Sequence, residues 1–304
     1  MKIVKIPDKD LKIPPNSAFA IETSPMMMKL HQNMIVVGKR GSGKSTIITN
    51  YLRMLKEENK MDRVFVISPT FDSNKALMEQ LEIDEDDVYD PEEKDVIENI
   101  INEVNKERDE WLAYEEKLKH WKRLSSLIKS SIPIQKIDPY LLLEFGDENG
   151  MLKKPESKYG HRPICGLFVD DCISTPLFRS RKFMNFITRH RHIAAFKEGG
   201  ALGVSVFIAI QNFTAQSGGC PRAVRNNATS LAVFRCKDEK ELKQIYESVA
   251  GEIEYDKFMK AYEYAVKENH CCLLIDLHSK KEHPSMFRKN LDEFIVMDEL
   301  TNKQ

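Results

Sequence analysis

Gly38-Lys39-Arg40-Gly41-Ser42-Gly43-Lys44-Ser45 fits the phosphate-binding pattern G-x-x-x-x-G-K-[ST] at every fixed position. Before it, Met34-Ile35-Val36-Val37 is a short apolar run of buried-strand type. After it, Ile47, Ile48, Tyr51, Leu52 and Leu55 recur at helical spacing. Phosphate binding needs this order of strand, glycine loop and helix. The glycines let backbone N–H groups turn inward around an anion at the positive end of a helix. Residues Gly38, Lys39, Arg40, Gly41, Ser42, Gly43, Lys44, Ser45 and Thr46 would then line a bound phosphate chain. Lys44 would reach the outer phosphates and the Ser45 hydroxyl would ligate Mg²⁺. The competing reading is a glycine-rich turn that binds nothing, and the flanking strand and helix speak against it.

A second landmark lies far downstream. The strand candidate Ile164-Cys165-Gly166-Leu167-Phe168-Val169 runs directly into Asp170-Asp171. A phosphate loop needs a carboxylate at a neighbouring strand tip to hold Mg²⁺ through its water shell, and Asp170 is placed for that. Asp171 could orient or deprotonate an attacking water. Two adjacent acids alone read equally well as a solvated turn; they gain meaning behind a full phosphate loop. The strand Val204 to Ile210 ends in Gln211-Asn212. In a parallel sheet that tip faces the phosphate site, so Gln211 is either a phosphate sensor or a cap of the next loop.

Between these landmarks the chain alternates strands with helical segments. Val64 to Ile67 is a second buried strand and Leu77 to Leu81 a short helix. The acidic run Glu82 to Asp90 reads as a solvated loop, with Val88-Tyr89 as a less favoured edge strand. From Glu92 to Ser131, apolar residues at helical spacing predict one long or two consecutive amphipathic helices inserted into the sheet fold. This insertion either only covers the sheet or serves as lid, subunit contact or partner site. Phe178 to His192 is a basic helix with Phe183, Phe186 and Ile187 on its buried side. Arg222 and Arg225 stand one helical turn apart. Further strands are expected at Leu231 to Phe234 and Cys271 to Asp276. The domain reading is an arm at 1–33, one α/β domain at 34–277 with the insertion at about 92–131, and a charged, peripheral tail at 278–304.

The 304 residues carry 41% hydrophobic and 31% charged side chains, ordinary for a globular chain. With a net charge of −1 there is no global basic field, so any nucleic-acid contact needs a local patch or a ring of subunits. The six cysteines form no C-x-x-C pair, which suits buried thiols in a reducing, cytosol-like compartment. No stretch approaches the length of a membrane span.

The paired acids sit well apart from the phosphate loop, and a further strand ends in a polar residue. This is the layout of RecA-like ATPases: a mostly parallel central sheet flanked by helices. A GTPase would need an N-K-x-D base reader. Asn74-Lys75-Ala76-Leu77 lacks the acid, and Asn302-Lys303 falls at the end of the sequence. A small-molecule kinase using the same loop, and a nucleotide-gated scaffold, both stay open, although the paired acids and Gln211 count against them.

The Gly38–Ser45 loop, the strand ending in Asp170-Asp171, Arg189-His190-Arg191-His192, the strand ending in Gln211 and Arg225-Asn226-Asn227 together resemble the genome-packaging ATPases of poxviruses, other large DNA viruses and virophages, within the FtsK/HerA superfamily. The resemblance spans about residues 34 to 276. It implies ATP hydrolysis with Mg²⁺ in a homo-oligomeric ring, a pentamer or hexamer. That ring would drive double-stranded DNA into a preformed capsid, with capsid-vertex or portal-type proteins as partners, at an assembly site in the host cytoplasm. It further implies Lys44 on phosphate, Ser45 and Asp170 on Mg²⁺, Asp171 as catalytic carboxylate and Gln211 as sensor. Arg191 would be the finger from a neighbouring subunit, with Arg189 and Arg225 behind it. The long Ala194–Gly203 connection and the 92–131 insertion depart from the pattern.

Overall fold

A computed structural model describes residues 21–69, 79–130, 132–147, 150–214, 219–249 and 253–297. Most of the expected Leu77–Leu81 helix and the first twenty residues of the arm lie outside them. Nine strands form one sheet: β1 (Asn33–Val37), β2 (Arg63–Ile67), β3 (Val88–Tyr89), β4 (Cys165–Asp170), β5 (Val204–Ile210), β6 (Ser230–Phe234), β7 (Cys272–Asp276), β8 (Phe287–Lys289) and β9 (Glu293–Phe294), in the order β3-β2-β4-β5-β1-β6-β7-β8-β9. The first six in that order are parallel and the last three antiparallel. It is the expected α/β fold.

Helices cover both faces, so the central strands are buried throughout and read as continuous apolar runs. Side chains still alternate. Ile35, Val37, Leu167, Val169, Val206 and Ile208 face one core; Met34, Val36, Phe168, Phe207 and Ala209 face the other. Helix α1 (Lys44–Glu57) fills the second core with Ile48, Tyr51, Leu52 and Leu55. The first core takes the start of α2 (Val96–Lys129), α4 (Arg181–Arg189), α6 (Glu239–Val249) and α7 (Tyr255–Ala265).

Several boundaries differ from the sequence reading. Val88-Tyr89 is an edge strand, registered as Val66 to Val88 and Ile67 to Tyr89, rather than a solvated loop. Two residues in an acidic run carry no periodicity, and Asp87 is fixed there by the Arg63 guanidinium at 2.7 Å. The insertion is one helix of 34 residues. Pro139 does not close the region but opens a short return helix, α3 (Pro139–Phe145), at the first position where a missing N–H costs nothing. The basic helix is broken, with 3₁₀ turns at Pro176–Arg179 and His190–His192 on either side of α4.

The tail is not peripheral. Phe287 and Arg288 are almost fully buried, and β8 and β9 extend the sheet. A three-residue strand gives no sequence period; tertiary partners hold it, with Arg288 donating to the Met26 carbonyl at 2.6 Å. The arm's end is likewise core: Met27, Met28 and Leu30 are buried. The connection after His192 is a tight antiparallel turn, bridging Ala195 to Ala201. Every cysteine is unpaired. No described helix is long and apolar enough to cross a membrane.

Candidate functional site

The site lies at the C-terminal ends of the parallel strands. Gly38 leaves β1 with its N–H donating to the Ile210 carbonyl at 3.1 Å. A Cβ at Gly38 would stand 2.5 Å from Ser42 Oγ and 2.8 Å from Phe234 Cβ, so no larger residue fits without moving the loop. Gly41 and Gly43 take φ of +75° and +107°, left-handed values that glycine adopts without strain. Gly43 is the N-cap of α1, where no side chain caps the helix and no acid occupies its first turn. The first N–H groups of α1 are therefore left to an anion.

Strand order brings the two acidic residues to this loop. β5 lies between β1 and β4, so Asp170 at the tip of β4 reaches across the end of β5. The Ser45 hydroxyl donates to Asp170 Oδ1 at 3.1 Å and Oδ2 at 3.2 Å. Asp171 has left the strand with φ of +51°, and its N–H donates to the Ala209 carbonyl at 3.3 Å. This left-handed turn separates the two carboxylates, which alternate strand geometry alone would not place so. Gln211 Nε2 donates to both Asp171 oxygens, at 2.8 and 2.9 Å. Cys172 steadies the turn from below, its thiol donating to the Asp170 carbonyl at 3.2 Å.

Lys44 completes the group. Its Nζ donates to the Lys39 carbonyl at 3.2 Å, curling over the loop. Burial lowers its pKa, while the Asp171 and Asp170 charges act the other way. A buried cation whose nearest charges are two carboxylates across a gap matches a place for phosphate.

The donor chemistry also fits Mg²⁺, which commonly takes one or two protein oxygens and leaves the rest to phosphate and water. Ser45 and Asp170 would supply those oxygens. Among the described residues no cluster of three or more His, Cys, Asp or Glu could hold a metal by itself.

The arginines are placed differently. Arg191 lines a cavity of about 180 Å³ with His31, Gln32, Thr229, Ser230 and Asp276, at the opposite end of β1 and β6 from the phosphate loop. Arg189 is exposed on α4. Arg225 lies on α5 (Arg222–Asn226), its guanidinium 5.3 Å over the Phe213 ring, two residues beyond Gln211. Thus one chain gathers Lys44, Ser45, Asp170, Asp171 and Gln211, and leaves Arg191 remote from them.

Sequence reading missed Phe234 and His270. Phe234 is the last residue of β6, beside Gly38 and Gly43, a position that the order of parallel strands would have indicated. His270 Nδ1 lies 3.3 Å from the Ser42 carbonyl, and no local pattern marks it. This is a P-loop NTPase fold.

Comparison with known proteins gives a consistent picture. Residues 17–117 match the family described as the P-loop containing dynein motor region. An uncharacterized protein, 075L, of Invertebrate iridescent virus 6 is 26% identical over 243 residues, covering 80% of this chain and 69% of that protein. Among solved structures, the chain is similar to the genome packaging NTPase B204 of Sulfolobus turreted icosahedral virus 2 in complex with ATP-gammaS. That match has 13% identity and a TM-score of 0.45, over 89% of this chain and 100% of that one. It is also similar to ATPases 2 and 3 of EssC from Geobacillus thermodenitrificans, with 15% identity and a TM-score of 0.45, over 88% of this chain and 41% of that one.

Proposed function

We propose that the protein is an ATP-hydrolysing motor that moves double-stranded DNA into a viral capsid as a homo-oligomeric ring. The observation that carries the hydrolytic part is the Asp171 carboxylate, turned out of β4 beside the Ser45–Asp170 pair and held by Gln211. A protein that only binds nucleotide has little use for a second acid fixed next to the first. The DNA-moving part is supported by the order of the motifs and by the basic stretch from Arg179 to His192. A relative in an iridescent virus agrees with a viral setting.

In this reading the α1 N–H groups and Lys44 bind the phosphate chain, and Ser45 and Asp170 hold Mg²⁺. The bound cation would draw off charge developing on the phosphate oxygens. Asp171 orients the attacking water and accepts its proton at Oδ1 or Oδ2. For that step Gln211 must release one of those oxygens, which makes the amide a gate on the base. Arg191, on the far end of its own sheet, would serve a neighbouring subunit, where such a finger is worth about 10³–10⁵ in rate.

The test is ATP hydrolysis by the purified chain with and without long double-stranded DNA, beside Lys44→Ala. Stimulation by DNA that disappears in the variant is expected. Hydrolysis indifferent to DNA removes the translocation part, and a phosphorylated small molecule without net hydrolysis replaces the motor with a kinase.

A further inference from the structure

The strand order gives the nucleotide a direction. Asp170, Asp171 and Gln211 stand on β4 and β5, on one side of β1, while β6 and β7 stand on the other. The outermost phosphate belongs beside the acids, so the nucleoside leaves the loop toward β6 and β7. A cavity of about 470 Å³ opens there. Gly43, Thr46 and Asn50 of α1 form one wall; His270, Asn290 and Asp292 form the other. A purine nucleoside fits this volume, since small-molecule sites run from about 300 to 1,000 Å³.

The walls differ in what they have left to offer. Asn290 is spent on the fold: its Oδ1 accepts from the Cys272 N–H at 3.0 Å, and its Nδ2 lies 3.5 Å from Cys271 Sγ. It takes φ of +54° and pins the turn that carries Asp292. His270 stands at φ of +61° with its ring against the Ser42 carbonyl, and a side chain at Gly43 would meet its Cβ at 3.7 Å. The ring thus borders both the loop and the cavity. Asp292 is exposed and has no side-chain partner among the described residues.

We propose that this cavity receives the ribose and base of the nucleotide, with the His270 ring as a wall against the base and the Asp292 carboxylate as acceptor for the 6-amino group of adenine. This rests on the phosphate loop holding a nucleotide. A carboxylate only accepts hydrogen bonds at neutral pH. Adenine presents an amino donor at C6, whereas hypoxanthine presents a carbonyl oxygen there, which the carboxylate repels. Asp292 therefore selects 6-aminopurines, a task the phosphate loop cannot perform because it touches only what all nucleotides share.

The experiment is calorimetric titration of the full chain with Mg²⁺ complexes of ATP, ITP, GTP and inorganic tripolyphosphate. ATP is expected to bind about tenfold more tightly than ITP, the worth of one hydrogen bond to a charged group. Asp292→Ala should erase that ratio and leave tripolyphosphate affinity unchanged. His270→Ala should weaken ATP and ITP alike, again sparing tripolyphosphate. An ATP to ITP ratio that survives Asp292→Ala, or a wild-type preference for GTP, overturns the assignment and leaves the phosphate loop standing. A wild-type chain that binds neither ATP nor tripolyphosphate overturns both.

Discussion

The phosphate end of the sheet and the helical hairpin of α2 and α3 are built on opposite terms. At the phosphate end, strand tips aim a few polar side chains at one point, and the neighbours are chosen for geometry: Gly38 because Ser42 and Phe234 leave no room, Asp171 because a left-handed turn must carry an acid. In the hairpin, the first turns of α2 bury Val96, Ile97, Ile100 and Val104 against the sheet. The far half has a small core of its own, Leu124, Ile137, Leu141 and Phe145, and leaves Ile128, Ile134, Tyr140 and Leu143 exposed. One region spends stability on position, and the other takes stability wherever a helix can find it. Substitutions should therefore separate cleanly into those that stop chemistry and those that loosen the fold.

The largest expected effect falls at the site. Asp171→Asn keeps the shape and can still meet Gln211, but loses the proton acceptor. Turnover should fall by about 10²–10⁴, the usual worth of a positioned general base. Nucleotide affinity and Tm should stay near wild type. A variant that unfolds at a lower temperature instead would make Asp171 a structural residue, and the contrast between the two regions would collapse at its sharpest point.

Next comes the clamp that fixes the hairpin. Arg63 at the start of β2 meets Asp87 at 2.7 Å, Glu103 at 3.0 Å and Glu107 at 3.1 Å. The Asp87 and Glu107 side chains are 5% and 3% exposed, so removing the guanidinium strands buried carboxylates. Lys158, 2.9 Å from Glu107, covers only one of them. Arg63→Ala should cost about 3–5 kcal/mol in chemical denaturation, as for other broken buried pairs. At temperatures where it stays folded, ATP binding should be unchanged.

How much of this was legible in the sequence follows from the same contrast. Phosphate chemistry restricts residue types at fixed spacing, so Gly38 to Ser45 announce themselves, and a buried strand ending in Asp170-Asp171 can be found far downstream. Helical period announced α2. What stayed hidden was set by distant partners. Val88-Tyr89 is a strand because Arg63 holds Asp87 against the edge, and Phe287 to Lys289 is a strand because Arg288 is buried toward Met26 and Asp276. His270 reaches the loop from a turn 228 positions away. Roles that depend on a second subunit, as proposed for Arg191, have no signature within one chain.

A smaller effect belongs to the lower end of the sheet. His190 is buried with its ring Nδ1 2.7 Å from the Val204 carbonyl. Burial, with Arg191 and His192 adding to it, lowers its pKa from 6.5 to about 4, against the hydrogen bond to Val204. His31, facing His190 and Arg162, is lowered to about 3, again mainly by burial. Above pH 6.5 both rings are neutral folded or unfolded and contribute nothing. As pH falls from 6.5 toward 4, the unfolded chain takes up protons that the folded one refuses. Stability should then drop by about 1.4 kcal/mol per pH unit for each ring, or about 3 kcal/mol from His190 by pH 4. His190→Gln should halve the slope of Tm against pH in that window; an unchanged slope would place the acid sensitivity elsewhere.

The smallest effect is predicted where the hairpin is most apolar. Leu141 and Leu143 are two residues apart on α3, yet one is 8% and the other 75% exposed. Leu141→Ala removes part of a closed cluster and should cost about 2–5 kcal/mol. Leu143→Ser and Tyr140→Ser should change stability by no more than about 0.5 kcal/mol, because surface changes away from special features rarely do more. Their hydrolysis should equal wild type in the isolated chain. If either serine variant instead costs as much as Leu141→Ala, the side chain is buried in solution by a second copy, and sedimentation of wild type against the variant would reveal that contact as a loss of mass. The hairpin would then share with the phosphate site the property that now separates them, a surface shaped for something outside the fold.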